Sequence, residues 1–200
     1  VNDDAYDHEH HDVISIGSCT TNCLAPVARV LHEEFGIEHG VINTIHGYTS
    51  TQSLQDGPHK DLRRGRAAAE NIIPTTTGAA KAVGTIMPEL DGKLDGLAVR
   101  VPVPTGSLLD LTCRVGKRVD AEMVNAAFRT WAEQRLEGVL LVQDAPIVSS
   151  DVVGDTHSAI VSPQDTLVMG DGDLVKVLAW YDNEWGFSRR CLDMMQRMVS

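Results

Sequence analysis

The amino-acid sequence predicts an α+β domain: a mixed, mostly antiparallel sheet with helices packed on one face. Three observations lead there. Short runs rich in Val and Leu, punctuated by Gly, Pro and Asp, outnumber the helical stretches and do not alternate with them, which suits an antiparallel layer better than a parallel sheet. Apolar residues recur at three- and four-residue steps in a few stretches with recognisable ends. Gly170-Asp171-Gly172-Asp173, set between two apolar runs, is a hairpin signal.

Taken in chain order, the first dozen residues are polar and His-rich (His8, His10, His11), a pattern that suits a solvated turn better than a metal site. Val13-Ile14-Ser15-Ile16 then predicts a short buried strand running into Gly17-Ser18-Cys19-Thr20-Thr21-Asn22. A helix follows. Leu24, Val27, Val30, Leu31 and Phe35 share one face, hydroxyls from Ser18 to Thr21 can cap its first turn, and Gly36 closes its last. Cys19 therefore falls at a helix N-terminus.

Val41-Ile42-Asn43-Thr44-Ile45 reads as a strand ending at His46, and Gly47 to Asn71 as a long polar, basic, turn-rich loop. A second helix is expected from Thr77 to Met87, stopped by Pro88. A third is expected from Asp120 to Gln134, with acidic residues at its start and Met123, Ala127 and Trp131 along one face. The remaining strand candidates are Gly96–Val103, Leu108–Val115, Gly138–Val142, Ala159–Val161, Leu167–Met169 and Leu174–Trp180. Ser188 to Ser200 is an amphipathic helix by the spacing of Cys191, Met194, Met195 and Met198. There is no internal repeat and no Gly-x-Gly-x-x-Gly turn.

Composition narrows the function. A length of 200 residues, 42% of them hydrophobic, suits one core and one domain. A formal charge of −11 speaks against nucleic acid or an anionic membrane as the partner, so any anion must meet a local positive site. Cys19, Cys23, Cys113 and Cys191 are too few and too scattered for a disulfide framework and read as reduced thiols of a cytoplasmic protein. No apolar stretch reaches membrane-spanning length, and the acidic start Val1-Asn2-Asp3-Asp4 is unlike a signal peptide.

The sharpest chemical signal is Cys19 among hydroxyls at a helix start, with His46 ending the next strand. Free N–H groups at a helix start lower a thiol pKa, and an adjacent imidazole lowers it further while standing ready to move protons. The same N–H groups with Ser18, Thr20 and Thr21 form an anion cradle.

Ser18-Cys19-Thr20-Thr21-Asn22-Cys23-Leu24-Ala25-Pro26 resembles the active-site motif of the phosphorylating glyceraldehyde-3-phosphate dehydrogenases. The resemblance continues in order through Thr44-Ile45-His46-Gly47-Tyr48-Thr49, His59-Lys60-Asp61-Leu62-Arg63-Arg64, Ile73-Pro74-Thr75-Thr76-Thr77-Gly78, Arg100-Val101-Pro102-Val103-Pro104-Thr105 and Trp180-Tyr181-Asp182-Asn183-Glu184-Trp185-Gly186, covering nearly the whole chain. It implies that Cys19 attacks the aldehyde of glyceraldehyde 3-phosphate, that NAD takes the hydride, and that inorganic phosphate cleaves the thioester to give 1,3-bisphosphoglycerate. His46 is implied as the base and as a partner of the oxyanion. Thr49 and Arg100 are implied to hold the substrate phosphate, Ser18, Thr20, Thr77 and Gly78 the attacking phosphate, with Arg64 in the same anion field. Asn183 is implied to hydrogen-bond the nicotinamide carboxamide. A homotetramer is implied too, with the Gly47 to Asn71 loop at a subunit contact, and Gly57-Pro58 resembles NAD-preferring members.

Residues 1–200 are thus expected to be the catalytic domain, with the Rossmann NAD-binding domain outside them, and the isolated chain is expected to be inactive as a dehydrogenase. Three departures bear on specificity: Ile16-Gly17 where many members carry Asn-Ala, Thr51 where some carry Asp, and Phe187 where Tyr is common. Rival readings keep Cys19 and His46 as a cofactor-independent acyl transferase or esterase, or reduce the chain to a non-catalytic assembly module. Erythrose 4-phosphate is the neighbouring substrate.

Overall fold

A computed structural model describes residues 1–199. Its centre is helix α1, Cys19–Phe35, which has Ser18 as N-cap and Gly36 as a left-handed C-cap with φ of 75°. The Ser18 hydroxyl accepts the Thr21 N–H at 3.1 Å, satisfying one of the orphan donors of the first turn. Strand β1, Ile37–Gly47, follows at once and is longer than its apolar core suggests. Next come β2, Ile73–Thr76; α2, Ala79–Ile86; β3, Leu94–Val101; β4, Ser107–Val115; and α3, Ala121–Gln134. The chain ends with β5, Leu140–Val142; β6, Ala159–Met169; β7, Leu174–Tyr181; and α4, Trp185–Val199.

The seven strands form one sheet in the order β2-β3-β1-β4-β7-β6-β5. The β1–β3 and β5–β6 pairs are parallel and the other four antiparallel, so the sheet is mixed and mostly antiparallel as the sequence predicts. Strict alternation sorts the sheet faces. Ile42, Leu109, Leu111, Val175, Val177 and Ala179 point into the core, where they meet Leu24, Val27, Leu31, Val83 and Phe128 of the helices. Apart from Ala179, each such fully buried side chain contributes about 1.5–3 kcal/mol. On the opposite face Val41, Leu97, Leu167 and Met169 remain exposed, and an ion pair between Lys176 and Asp110 crosses the β4–β7 ladder.

Several boundaries differ from the sequence reading. Val13 to Ile16 form no strand: Val13 is 90% exposed and no neighbouring strand supplies a ladder. Thr77 and Gly78 precede α2 rather than lie in it, and α4 starts at Trp185, before Ser188. Ala159–Val161 and Leu167–Met169 are two ends of β6, which pairs with β7 on both sides of a register shift between Ser162 and Leu167. The predicted hairpin at 170–173 joins β6 to β7, with Gly170 and Gly172 at φ of 66° and 88°.

Candidate active site

The site is built where the N-terminus of α1 meets the C-terminal end of β1. Gly17 adopts a φ of 72°, a conformation that glycine holds without strain, and turns the chain so that Ser18 caps the helix and Cys19 opens it. Cys19 Sγ lies 3.4 Å from His46 Nε2. His46 alternates inward on β1 with Ile42 and Thr44 and is only 3% exposed.

Three elements hold the imidazole. Arg100 is aligned with His46 in the parallel β1–β3 register, and its guanidinium lies 2.8 Å from His46 Nδ1 and donates to the Gly47 carbonyl at 2.9 Å. The Gly47 carbonyl oxygen itself is 2.7 Å from Nδ1. Tyr181 of β7 packs its ring edgewise on His46, with centroids 5.9 Å apart and planes at 77°.

The two contacts at Nδ1 demand opposite tautomers. Arginine never accepts a hydrogen bond, so its contact requires a bare Nδ1 and a proton on Nε2 aimed at the sulfur. The Gly47 contact puts the proton on Nδ1 and leaves Nε2 to accept from a thiol. The pair therefore has two matched states, a thiolate facing Nε2–H and a thiol facing bare Nε2, and Arg100 favours the first.

Burial, helped by the nearby Arg100 charge, pushes the His46 pKa down to about 4. Burial also pushes the Cys19 thiol up, against the N–H and hydroxyl of Thr20 and the Arg100 charge, which pull it back. The sequence expectation that the helix start and the imidazole lower this pKa omits desolvation, which outweighs them in a site this closed. At neutral pH the resting pair is a thiol beside a neutral imidazole.

Hydroxyls cluster at the start of α1 beside Cys19. Ser18 Oγ lies 2.8 Å from Thr21 Oγ1, and Thr20 Oγ1 lies 2.9 Å from the Tyr181 hydroxyl, which is 2.7 Å from Thr44 Oγ1. Beyond Arg100, Thr49 Oγ1 is 2.9 Å from Thr51 Oγ1, which accepts from Arg64. Arg64 is close enough to lower the Arg100 pKa, after burial itself, and each arginine keeps a buried Nε without a partner. Among the described residues no carboxylate pairs with either guanidinium.

Asn183 follows β7, and its Oδ1 accepts from the Gly106 N–H at 3.0 Å and the Ser107 hydroxyl at 3.1 Å. Ser107 in turn accepts the Gly47 N–H at 3.2 Å, which ties Asn183 to the residue beside His46. With Oδ1 so engaged, the buried Nδ2 has no partner.

The structure thus joins Cys19, His46, Arg100 and Thr20 in one cluster, with Arg64 and Thr49 linked at one edge and Asn183 at another. Thr77 accepts the Ala79 N–H at 3.3 Å and Gly78 is the N-cap of α2; among the described residues no hydrogen bond links them to the cluster. Thr44, Ser107 and Tyr181 belong to the site and were not singled out by sequence reasoning. Thr44 and Tyr181 lie within recognisable motifs, but only the strand register shows that both point inward.

Residues 18–183 match the family described as "Glyceraldehyde 3-phosphate dehydrogenase, C-terminal domain". The chain is 59% identical over 195 residues to a glyceraldehyde-3-phosphate dehydrogenase of Mycobacterium tuberculosis, covering 98% of this chain and 57% of the relative. It is 57% identical over 194 residues to glyceraldehyde-3-phosphate dehydrogenase 2 of Streptomyces avermitilis, covering 97% and 58%. A Mycolicibacterium smegmatis relative of the same name is 57% identical over 195 residues, covering 98% and 56%. The chain therefore spans little more than half the length of these relatives.

Proposed function

Because the chain belongs to the glyceraldehyde-3-phosphate dehydrogenase family, matching its C-terminal domain, we propose that it is the catalytic part of an NAD-dependent phosphorylating aldehyde dehydrogenase acting on glyceraldehyde 3-phosphate. The observation that carries this reading is the Cys19 to His46 contact of 3.4 Å beside two guanidiniums whose buried Nε groups have no partner among the described residues. Cys19, as thiolate, attacks the aldehyde carbon and forms a thiohemiacetal. His46 Nε2 takes the Cys19 thiol proton as the sulfur attacks; that Nε2–H and the N–H of Cys19 stabilise the oxyanion, Nε2 passes its proton to it, and Nε2 takes the proton back as the hydride leaves the carbon. Inorganic phosphate cleaves the thioester that oxidation leaves on Cys19, giving 1,3-bisphosphoglycerate and the free thiol.

Arg100 and Arg64 suit phosphate. Two neighbouring cations with spare N–H groups gain most from a dianion. Thr49 extends this arm, while Ser18, Thr20, Thr77 and Gly78 are proposed for the attacking phosphate. The buried, unpartnered Nδ2 of Asn183 fits a carboxamide oxygen such as that of nicotinamide. When bound, NAD supplies the hydride acceptor. Most of its binding energy would come from a domain outside these residues, consistent with the 57% coverage of relatives.

The proposal extends to assembly and location. The uncovered sheet face bearing Val41, Leu97, Leu167 and Met169 suits a second copy of the chain. A cytoplasmic setting fits four free cysteines, and among the described residues no helix is long and apolar enough to cross a membrane.

The test is NADH formation from glyceraldehyde 3-phosphate and phosphate. The isolated chain should give none, and the chain joined to the NAD-binding segment of a relative should turn over and lose that activity in Cys19→Ala. Turnover by the isolated chain, or an active Cys19→Ala fusion, would sink the reading.

A further inference from the structure

We infer that Tyr181 is a positioning residue for Cys19: its hydroxyl, held by Thr44, orients the Thr20 hydroxyl as a donor to the sulfur. Thr44 Oγ1, Tyr181 Oη and Thr20 Oγ1 form a line with steps of 2.7 Å and 2.9 Å, and all three residues are at least 96% buried. Thr20 follows Cys19 directly at the start of α1, and its hydroxyl, at the end of that line, is among the groups that pull the Cys19 thiol back down against burial.

The direction follows from hydrogen counting. Each hydroxyl owns one hydrogen. If Thr20 donates to a thiolate, it can only accept from Tyr181, and Tyr181 can then only accept from Thr44. The line therefore runs from Thr44 through Tyr181 and Thr20 to Cys19, and the two middle members, Tyr181 and Thr20, both give and take, which polarises each bond in turn. Toward a neutral thiol the order has no such preference, so the line stabilises the thiolate selectively. No proton is passed along it: burial pushes the Tyr181 phenol far up, and each hydroxyl keeps its own hydrogen.

The ring of Tyr181 has a separate task, the edgewise contact with His46. Removing the hydroxyl alone thus tests the line without removing the packing. The other groups acting on Cys19 are His46 from β1, Arg100 from β3 and Cys23 within α1; Arg64 acts one step away through Arg100.

This inference rests on Cys19 being the nucleophile, and one experiment separates the two. The 200-residue chain is alkylated with iodoacetamide across a pH series, Cys19 is followed by mass spectrometry, and melting temperature is recorded alongside. Tyr181→Phe should move the Cys19 midpoint up by about half to one pH unit, a three- to tenfold loss of thiolate at a given lower pH. Thr44→Val should move it less in the same direction, and Thr44→Ser should restore the wild-type value. Coincident midpoints in Tyr181→Phe, Thr44→Val and wild type would overturn the inference, whatever happens to the melting temperature. Should Tyr181→Phe fail to fold, the Thr44 pair decides alone. If His46→Asn leaves the Cys19 profile unchanged, the nucleophile reading itself falls, and the line with it.

Discussion

The two sides of His46 are finished to different degrees. Toward β7, the hydroxyls of Ser18, Thr20, Thr21, Thr44 and Tyr181 all have partners, and two of these bonds close over 161 and 137 residues of chain. Toward β3, Arg100 and Arg64 stand together with buried Nε groups unmet. A buried polar atom without a partner costs about 1–3 kcal/mol. The hydroxyl cluster is therefore complete in itself, whereas the arginine side is complete only with an anion in place. A rigid nucleophile shelf beside an unsaturated cationic wall is the division of labour the proposed reaction needs, one side forming the covalent bond and the other holding phosphate.

The largest effect should come from the residue between the two sides. In the fusion that supplies the NAD-binding segment, His46→Asn should lower turnover by about 10²- to 10⁴-fold, the range for loss of a positioned acid–base group. A loss below tenfold would mean that Arg100 and the Thr20 line suffice and that His46 is packing.

A second effect is on stability and reads burial directly. The unfolded chain takes up the His46 proton near pH 6.5, whereas the folded chain resists it until about pH 4. Between those values the unfolded state binds more protons, so stability falls as pH is lowered through this window, by about 3 kcal/mol in all. Urea unfolding of wild type and His46→Asn at pH 7 and pH 4 measures the difference. An equal acid loss in both would show that His46 is not the group responsible.

The smallest effect is the most diagnostic of the contrast. Arg64→Gln should change stability by no more than about 0.5 kcal/mol in phosphate-free buffer, since it removes a cation that repels Arg100 and pairs with no acid. Inorganic phosphate at a hundredfold excess over its dissociation constant should stabilise wild type by about 2.7 kcal/mol, and Arg64→Gln should lose most of that gain. Thermal melts with and without phosphate test both statements. A variant stabilised as strongly as wild type would move the anion site away from this pair.

Legibility in the sequence followed the range of the interactions. Helices α1 and α3 were readable because cap, apolar face and terminator sit within one short window; Asp120, for instance, caps α3 through the Met123 N–H. Strand β2 was not readable, being four residues long on the sheet edge and containing Pro74. Val13 to Ile16 misled for the converse reason: an apolar run without a partner strand has no ladder to join. Within the site, Cys19 and His46 stood out because chemistry and helix start coincide in sequence. The roles of Ser107 toward Asn183 and of Thr44 toward Tyr181 depend on which strands become neighbours, and β7 reaches β4 only through the sheet order. The upward push on the Cys19 thiol depends likewise on burial that no local pattern encodes.

Strand β7 is the last of the seven described strands yet lies inside the sheet, between β4 and β6. Until it is added, β2-β3-β1-β4 and β6-β5 are separate fragments, each with an open edge. During synthesis, then, the helix that bears Cys19 and the strand that bears His46 emerge together, and Tyr181 follows Thr44 by 137 residues. The sulfur and imidazole can meet long before the hydroxyl line exists, and maturation of the thiol is a closing event of folding, coupled to the insertion of one central strand.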